Sequence, residues 1–161
     1  MEKIEKESTT VGIISDTHGL VRPSVTEAFK NVDLILHAGD VGTQNALDTL
    51  KKIAPVTAVR GNMDGGIFGK NLPQTELVRI GQVSIYILHD LWNLDLDPAA
   101  AGCKIVLHGH THRPSMKEDN EVLYLNPGSA GPVRNEYPVS VALLTVTGEE
   151  YNVNMLDLES L

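Results

Sequence analysis

Five of the six histidines in this 161-residue chain lie in or beside polar loops that follow apolar, strand-like runs. The clearest of these loops contains His110 and His112, two residues apart, directly after the apolar run 104–107. On an extended backbone residues i and i+2 point to the same side, so both imidazoles are predicted to converge at a strand end. Converging imidazoles can hold a metal ion, although a single pair is weak evidence because histidine also serves in packing.

Other candidate ligands follow apolar runs in the same way. In chain order they are Asp16 and His18 after the run 11–14, Asp40 after 33–37, Asn62 after 56–60, and His89 after 83–88. Taken singly, each has an ordinary explanation, because an Asp can cap a following helix and an Asn can occupy a turn. Taken together they predict one site, since open α/β sheets bind ligands at the carboxyl ends of their buried strands.

Composition limits the class of protein. The chain has a formal net charge of −8, and 42% of its residues are apolar. We expect a single domain over residues 11–161, preceded by a mobile arm over residues 1–10. The acidic balance disfavours long nucleic acid as a partner. No apolar run approaches the ~18 residues of a membrane span, and the lone Cys103 excludes an internal disulfide, so we expect a cytoplasmic protein without membrane contact.

The order of predicted elements favours a sandwich of two sheets. Up to about residue 60, apolar strands alternate with amphipathic helices predicted over residues 23–31 and 43–53. Hairpins follow, with one short helical piece over residues 95–101 and a closing hairpin over residues 139–156. This order is typical of an α/β (α+β) fold, here a four-layer α-β-β-α sandwich in which two mixed β-sheets pack face to face between helices.

The motifs resemble those of the calcineurin-like metallophosphoesterase superfamily. In chain order, the residues that carry the resemblance are Asp16-x-His18, Gly39-Asp40, Gly61-Asn62, His89 and Gly109-His110-x-His112. The small size of the chain and its loop at residues 126–129 resemble in particular the small bacterial and archaeal phosphodiesterase branch. The resemblance runs from about residue 11 to residue 146 with five motifs in the family's order, which is far more specific than any one motif.

The resemblance implies a dinuclear metal site. One ion would be held by Asp16, His18 and His112, the other by Asn62, His89 and His110, and Asp40 would bridge both. The implied cofactors are two divalent transition-metal ions, Mn²⁺ first, with Fe, Co, Ni or Zn as alternatives that suit the same mixed ligands. The implied enzyme is a phosphodiesterase that hydrolyses a small phosphoester by in-line attack of a metal-bridging hydroxide. Asp40 and Asn62 would be catalytic, and Asn62 would also contact substrate.

Two positions after Asn62 bear on the leaving group. Met63 stands where many members of the wider superfamily have a histidine that is thought to protonate the leaving group. A thioether has no proton to give, so we expect phosphodiesters to be preferred over simple monoesters. Asp64 could serve as a substitute catalytic acid, could orient its neighbours, or could be a solvated turn residue.

Other positions that differ from the family pattern, or that could contact substrate, are expected at the rim of the site. Asp90 follows His89, where relatives commonly have glycine, and could narrow the pocket or change metal affinity. Arg134 could bind a substrate phosphate as a bidentate donor. Arg22, Arg60 and Arg113 offer the same chemistry, although each could equally be a surface cation. His37 and His108 do not match ligand positions, and we expect both to be structural or to support the ligands.

A protein-binding scaffold and a nuclease are the two alternatives to a phosphodiesterase. A eukaryotic retromer subunit looks like the same fold and works mainly as a protein-binding scaffold with an impaired metal site. All seven ligand positions here hold competent side chains, which favours the enzyme. A nuclease that acts on long nucleic acid is opposed by the acidic balance. The apolar closing strands would also allow a homodimer.

We predict that Met63→His raises turnover of a phosphomonoester, because an imidazole at this position can donate a proton to the leaving oxygen. The measurement is kcat on an aryl and an alkyl monoester with added Mn²⁺. Equal rates for parent and variant would mean that this side chain does not face the leaving group.

Overall fold

The computed structural model describes residues 8–133 and 137–160. Its strands in chain order are β1 (Ser8–Ile14), β2 (Leu34–His37), β3 (Val56–Ala58), β4 (Thr75–Ile80), β5 (Val83–Leu88), β6 (Ile105–Leu107), β7 (Ser115–Asp119), β8 (Val122–Asn126), β9 (Ser140–Thr147) and β10 (Glu150–Asp157). Its helices are α1 (Pro23–Ala28), α2 (Gln44–Lys51) and α3 (Gly66–Lys70), with 3₁₀ turns at Leu91–Asn93 and Leu158–Ser160.

The strands form two mixed five-stranded sheets, as the element order predicts. The first has the spatial order β10-β9-β1-β2-β3, and the second has the order β4-β5-β6-β8-β7. Strands β1, β2 and β3 run parallel, as do β5, β6 and β8, while the outer strands are antiparallel. Each sheet therefore gathers the carboxyl ends of three parallel strands at one edge, where ligand sites form in open sheets.

The main core lies between the two sheets. It joins Ile13 and Leu36 of the first sheet to Ile85 and Leu107 of the second, all with almost no exposure. Both sheets supply β-branched and leucine side chains from their parallel strands, which explains why those runs are continuously apolar rather than alternating. Burial of this apolar surface holds the two strand edges in a fixed relation to each other.

The outer layers differ between the sheets. Val25, Phe29 and Leu50 from the regions of α1 and α2 pack on the first sheet. The outer face of the second sheet is covered by residues 91–103, through side chains such as Leu91 and Cys103. This fourth layer contains a 3₁₀ turn at Leu91–Asn93, and the short helical piece expected at 95–101 does not form a regular helix. Only one helical turn follows Asp97 before Gly102 adopts a φ of 83° and ends it.

Local differences from the predicted elements have clear causes. Residues 8–10, expected in the N-terminal arm, belong to β1 because Ser8 pairs with Thr147 on β9. Thr43 caps α2 as predicted, with its Oγ1 accepting from the Ala46 N–H at 3.1 Å. Helix α3 was not expected, because its glycine-rich sequence has low intrinsic helix propensity. Among the described residues, no helix has both the length and the apolar character that crossing a bilayer requires.

We predict that Leu50→Ala lowers the free energy of unfolding by about 2–5 kcal/mol, because it leaves a cavity under α2. Leu77→Ala is the matched control, since Leu77 is 58% exposed on β4, and it should cost less than about 1 kcal/mol. Urea unfolding of the two variants provides the comparison. Equal losses would contradict the placement of Leu50 in the core.

Candidate metal centre

The seven predicted ligands lie on loops at the carboxyl ends of the parallel strands. Five of them have a positive φ, a conformation that non-glycine residues rarely adopt: Asp16 (57°), His18 (50°), Asp40 (57°), His110 (73°) and His112 (65°). Backbone strain of this kind clusters at functional sites, where the surrounding structure compensates for it. The loops are therefore shaped to aim these side chains rather than to minimise their own energy.

The extended geometry expected for His110 and His112 is wrong. Strand β6 ends at Leu107, and both histidines lie in the left-handed region of the following loop. Their side chains consequently meet different partners. His112 Nε2 lies 3.4 Å from Asp16 Oδ1, whereas His110 Nδ1 lies 3.2 Å from Asn62 Oδ1. The two imidazoles share a loop but belong to two different groups of side chains.

The first group consists of Asp16, His18 and His112, which could hold one metal ion. The Nε2 atoms of the two histidines face each other at 3.3 Å. Asp16 Oδ1 lies 3.7 Å from His18 Nε2 and 3.4 Å from His112 Nε2. Three donor atoms thus surround one point, and this is the same trio that the resemblance assigns to one ion.

The second group brings Asp40 and His89 together beside Asp16. His89 Nε2 lies 3.2 Å from Asp40 Oδ2 and 3.8 Å from Asp16 Oδ1. His89 Nδ1 lies 2.8 Å from the Ala38 carbonyl oxygen, which can accept its proton and leave the Nε2 lone pair free. Asp40 Oδ2 is also 3.6 Å from His18 Nε2, so this carboxylate lies between the two groups.

Asn62 and His110 form the open side of the site. Their contact brings an amide oxygen next to an imidazole nitrogen, and the His110 side chain is 42% exposed. On its other side, His110 Nε2 lies 3.8 Å from Asp90 Oδ2. The carboxylate of Asp90 is held by the Trp92 N–H, which donates to Oδ1 at 3.1 Å. Asp90 thus faces the ring of His110 rather than that of its neighbour His89.

The donor set fits a divalent cation. Asp16 Oδ1 and His89 Nε2 are buried polar atoms without a hydrogen-bond partner in the described part of the chain, and orphaned buried polar atoms of this kind are costly. Although burial alone would raise it, the nearby imidazoles of His112 and His18 hold the pKa of Asp16 well below its usual range. Burial would likewise raise the pKa of Asp40, yet His89 and the Met63 N–H lower it. Two ionised carboxylates with imidazole nitrogens are ligands that divalent transition metals prefer.

Asp64 supports the loops and does not point its carboxylate at the other ligands. Its Oδ1 accepts from the Gly42 N–H at 2.9 Å, and its Oδ2 accepts from the N–H groups of Gly61 and Val41 at 2.9 and 3.2 Å. This buried carboxylate therefore ties the loop after β2 to the loop after β3. Of the roles expected for Asp64, the structure favours the orienting one over that of a substitute acid or a solvated turn residue.

The two remaining histidines are buried outside the converging set. Burial lowers the pKa of both His37 and His108 to about 4. His37 Nδ1 accepts from the Gly39 N–H at 3.0 Å, and its Nε2 lies 3.0 Å from Thr17 Oγ1. His37 is thus a neutral ring that braces the loop before Asp40.

The side chain of Met63 is 63% exposed, while its N–H donates to Asp40 Oδ1 at 2.8 Å.

The arginines that were candidates for phosphate binding have different surroundings. Arg22 donates from Nε and Nη2 to the Gly131 carbonyl, and Arg113 lies over the ring of Tyr137. Arg60 lines a cavity that Asn62 and His89 also line. Within the described residues its guanidinium has no hydrogen bond or ion pair, so it is free to meet an anion. Arg134 falls outside the described residues, and its role stays a prediction.

The supporting roles of two residues were missed by sequence reasoning. Ser15 Oγ donates to Asp16 Oδ2 at 2.6 Å, which leaves Oδ1 of that carboxylate for the site. Asn126 Nδ2 donates to the Gly109 carbonyl and to Thr111 Oγ1, both at 3.1 Å, and so holds the histidine loop. The position of Ser15 next to Asp16 was an available signal, whereas nothing local links Asn126 to a loop 15 residues away.

Comparison with known proteins identifies similar sequences. The family model of the calcineurin-like phosphoesterase superfamily domain matches residues 10–149. A probable metallophosphoesterase of Methanocaldococcus jannaschii is 39% identical over 132 residues, which cover 74% of this chain and 67% of the relative. One of Methanothermobacter thermautotrophicus is 35% identical, with 91% of each chain covered. A phosphodiesterase of M. jannaschii is 26% identical over 91% of this chain and 99% of its own length.

Solved structures share the fold. Vacuolar protein sorting 29 of Cryptosporidium parvum superposes with a TM-score of 0.77 at 24% identity, covering 92% of this chain and 97% of its own. A novel archaeal phosphodiesterase superposes with a TM-score of 0.74 at 24% identity, covering 92% of this chain and 100% of its own. At this level of identity the likeness confirms the two-sheet architecture only.

We predict that Gly61→Ala weakens Mn²⁺ binding by about 10- to 100-fold, the range found for residues that hold metal ligands in place. A Cβ at this position would collide with the carboxylate and backbone of Asp40. Gly65→Ala in the same loop is the matched control, because a Cβ there meets no atom within 4 Å. Titration calorimetry on metal-stripped protein, with circular dichroism to check folding, gives the answer. If a folded Gly61→Ala variant bound Mn²⁺ as tightly as the parent, the close packing of residue 61 against Asp40 would be refuted.

Proposed function

Because the chain belongs to the calcineurin-like phosphoesterase superfamily, we propose that this metal-dependent phosphoesterase is a phosphodiesterase that uses two divalent ions. The observation that carries the proposal is the convergence of Asp16, Asp40 and three histidines at 3.2–3.8 Å around shared points. The superfamily match over residues 10–149 and the relative named as a phosphodiesterase support it.

The site offers ligands for two ions rather than one. Asp16, His18 and His112 would hold the deeper ion, while His89, His110 and Asn62 would hold the more open one. Asp40 would serve both, which is supported by the position of its Oδ2 between His18 Nε2 and His89 Nε2. Mn²⁺ is our first choice because hard carboxylate and amide oxygens share the site with imidazoles, and no cysteine takes part.

When bound, the two ions would lower the pKa of a coordinated water and offset the negative charge of a phosphate. The chain's own residues then decide which esters are cleaved. Met63 has no proton to give, and the carboxylate of Asp64 is occupied by three backbone N–H groups. Neither position supplies an acid to the leaving oxygen, so substrates that need no such help are favoured. These are phosphodiesters with stable leaving groups rather than alkyl monoesters.

Arg60 is our candidate for the group that binds the substrate phosphate. It lines the cavity beside Asn62 and His89, and its guanidinium is unpaired within residues 8–133 and 137–160. A guanidinium can donate two parallel hydrogen bonds to a phosphate and matches its geometry. Asn62 would contact the same phosphate through the side of its amide that does not face His110.

The scaffold alternative has weaker support. The fold likeness to vacuolar protein sorting 29 is at 24% identity and concerns architecture. All seven ligand positions here keep competent side chains, and the strained backbone at five of them is a cost that a pure binding platform would not need. A small phosphoester as substrate, a cytoplasmic location and a homodimer through the closing strands complete the proposal.

We predict that metal-stripped protein regains hydrolysis of bis(p-nitrophenyl) phosphate when about two equivalents of Mn²⁺ are added. Asp40→Asn should lower kcat by about 100-fold or more, because the shared carboxylate charge is lost. Asp48→Asn on the exposed face of α2 is the matched control and should retain activity. Metal-loaded protein that is inert on a broad panel of phosphodiesters would refute the proposal, and full activity with one equivalent would refute the second ion.

We predict that Arg60→Gln raises KM for the same diester by about tenfold, since a charge-assisted hydrogen bond to phosphate is lost. Arg79→Gln, at an exposed position on β4, is the control for a general loss of positive charge. Steady-state kinetics at saturating Mn²⁺ provide both KM values. A similar rise in the two variants would point to long-range charge and away from direct contact.

A further inference from the structure

A cavity of about 410 Å³ opens directly from the metal centre. It shares Asn62 and His89 with that centre, and it continues past them between the loop after β3 and the 3₁₀ turn after β5. A bound phosphate has two ester arms in a diester, and one of them must leave the metal centre through an opening of this kind. The cavity is large enough for a small organic group, since ligand pockets range from about 300 to 1,000 Å³.

Polar side chains without partners surround this cavity. Gln74, Thr75, Asn93 and Asp95 all line it, and none has a side-chain hydrogen bond or ion pair to the described part of the chain. A binding pocket is usually walled by apolar groups with a small number of polar ones. Here the apolar wall is limited to residues such as Tyr86 and Leu88, which are buried on β5. All four side chains are exposed, so their polar atoms face solvent in the free protein and are open to hydrogen bonds with a polar occupant.

The charges of the wall restrict that occupant further. Arg60 lies in the lining together with Asp90 and Asp95. A second anionic group would face the two carboxylates, and a cationic head group would lie beside both the guanidinium and the metal ions of the proposed function. A neutral group avoids both penalties, and hydroxyl groups can donate to the carboxylates and accept from amide N–H groups.

We propose that the cavity binds a neutral, hydroxyl-bearing sugar as the second ester arm of the phosphodiester substrate. This inference rests on the proposed function and deepens it, because it names the class of diester that the site selects. Asp95, Asn93 and Gln74 are the specificity-determining residues, and Arg60 holds the phosphate at the mouth of the cavity.

The test compares p-nitrophenyl phosphodiesters that share one leaving group and differ in the other arm. The arms are methyl, choline, thymidine through its 5′ oxygen, and 3′-deoxythymidine, which lacks only the sugar hydroxyl. With Mn²⁺-loaded protein we expect kcat/KM for the thymidine ester to exceed that for the methyl ester by about tenfold or more. Removal of the 3′ hydroxyl should lower kcat/KM by about tenfold, because the site's polar groups are then left unpaired.

The variants Asn93→Ala and Asp95→Asn should bring the ratio between the thymidine and 3′-deoxythymidine esters close to one. Asn154→Ala, at an exposed position of β10 in the other sheet, is the matched control and should keep the parent ratio. Calorimetric titration of Mn²⁺-loaded protein with thymidine 5′-phosphate gives a second readout, and binding should weaken in Asp95→Asn.

The outcomes distinguish the two levels of the proposal. Hydrolysis of all four esters at equal kcat/KM would overturn the sugar-binding cavity and leave the phosphodiesterase intact. Preference for the choline ester would also overturn it, in favour of a cation site at Asp90 and Asp95. Failure to cleave any of the four would overturn the phosphodiesterase function and the cavity inference together.

Discussion

The structure depends on the burial of two carboxylates beside each other. Asp16 and Asp40 are almost fully buried, and one oxygen of each lies within 4.8 Å of the other and of His89 Nε2. Two like charges in a low-dielectric interior repel strongly unless opposite charge is placed between them. The nearby imidazoles provide part of that charge when protonated and provide lone pairs when neutral. A divalent cation would satisfy both carboxylates at once, which accounts for the orphaned Asp16 Oδ1 that points into the cluster.

The residues around this cluster hold the two carboxylates in place despite their mutual repulsion. The main core fixes the two sheets, and the loops at their strand ends then have little freedom. Gly61 and Gly109 lack the Cβ that would collide with Asp40 and Asp16. Asp64 ties two loops together through three backbone N–H groups. Rigid support of this kind is what keeps ligands within the narrow range of geometry that metal chemistry needs.

Most of this arrangement could be predicted from the sequence, because apolar runs and the residues that follow them are local signals. The hairpin β4–β5 and the cap at Thr43 followed from such signals. The left-handed backbone of His110 and His112 did not, since it depends on contacts such as that between the His110 N–H and Asp16 Oδ2, 94 residues apart. The orienting role of Asp64 and the separation of Arg60 from Arg22 likewise depend on which loops meet in space.

The two sides of the centre differ in ways that bear on how it would work. His89 and His112 are buried, whereas the His110 side chain is 42% exposed. The open side also carries Asp90, whose Oδ2 lies 3.8 Å from His110 Nε2. A carboxylate in that position restricts the orientation of the imidazole ring. Asp90 therefore limits the freedom that exposure gives to His110, on the side of the centre where Asn62 is also exposed, and this side stays open to the cavity.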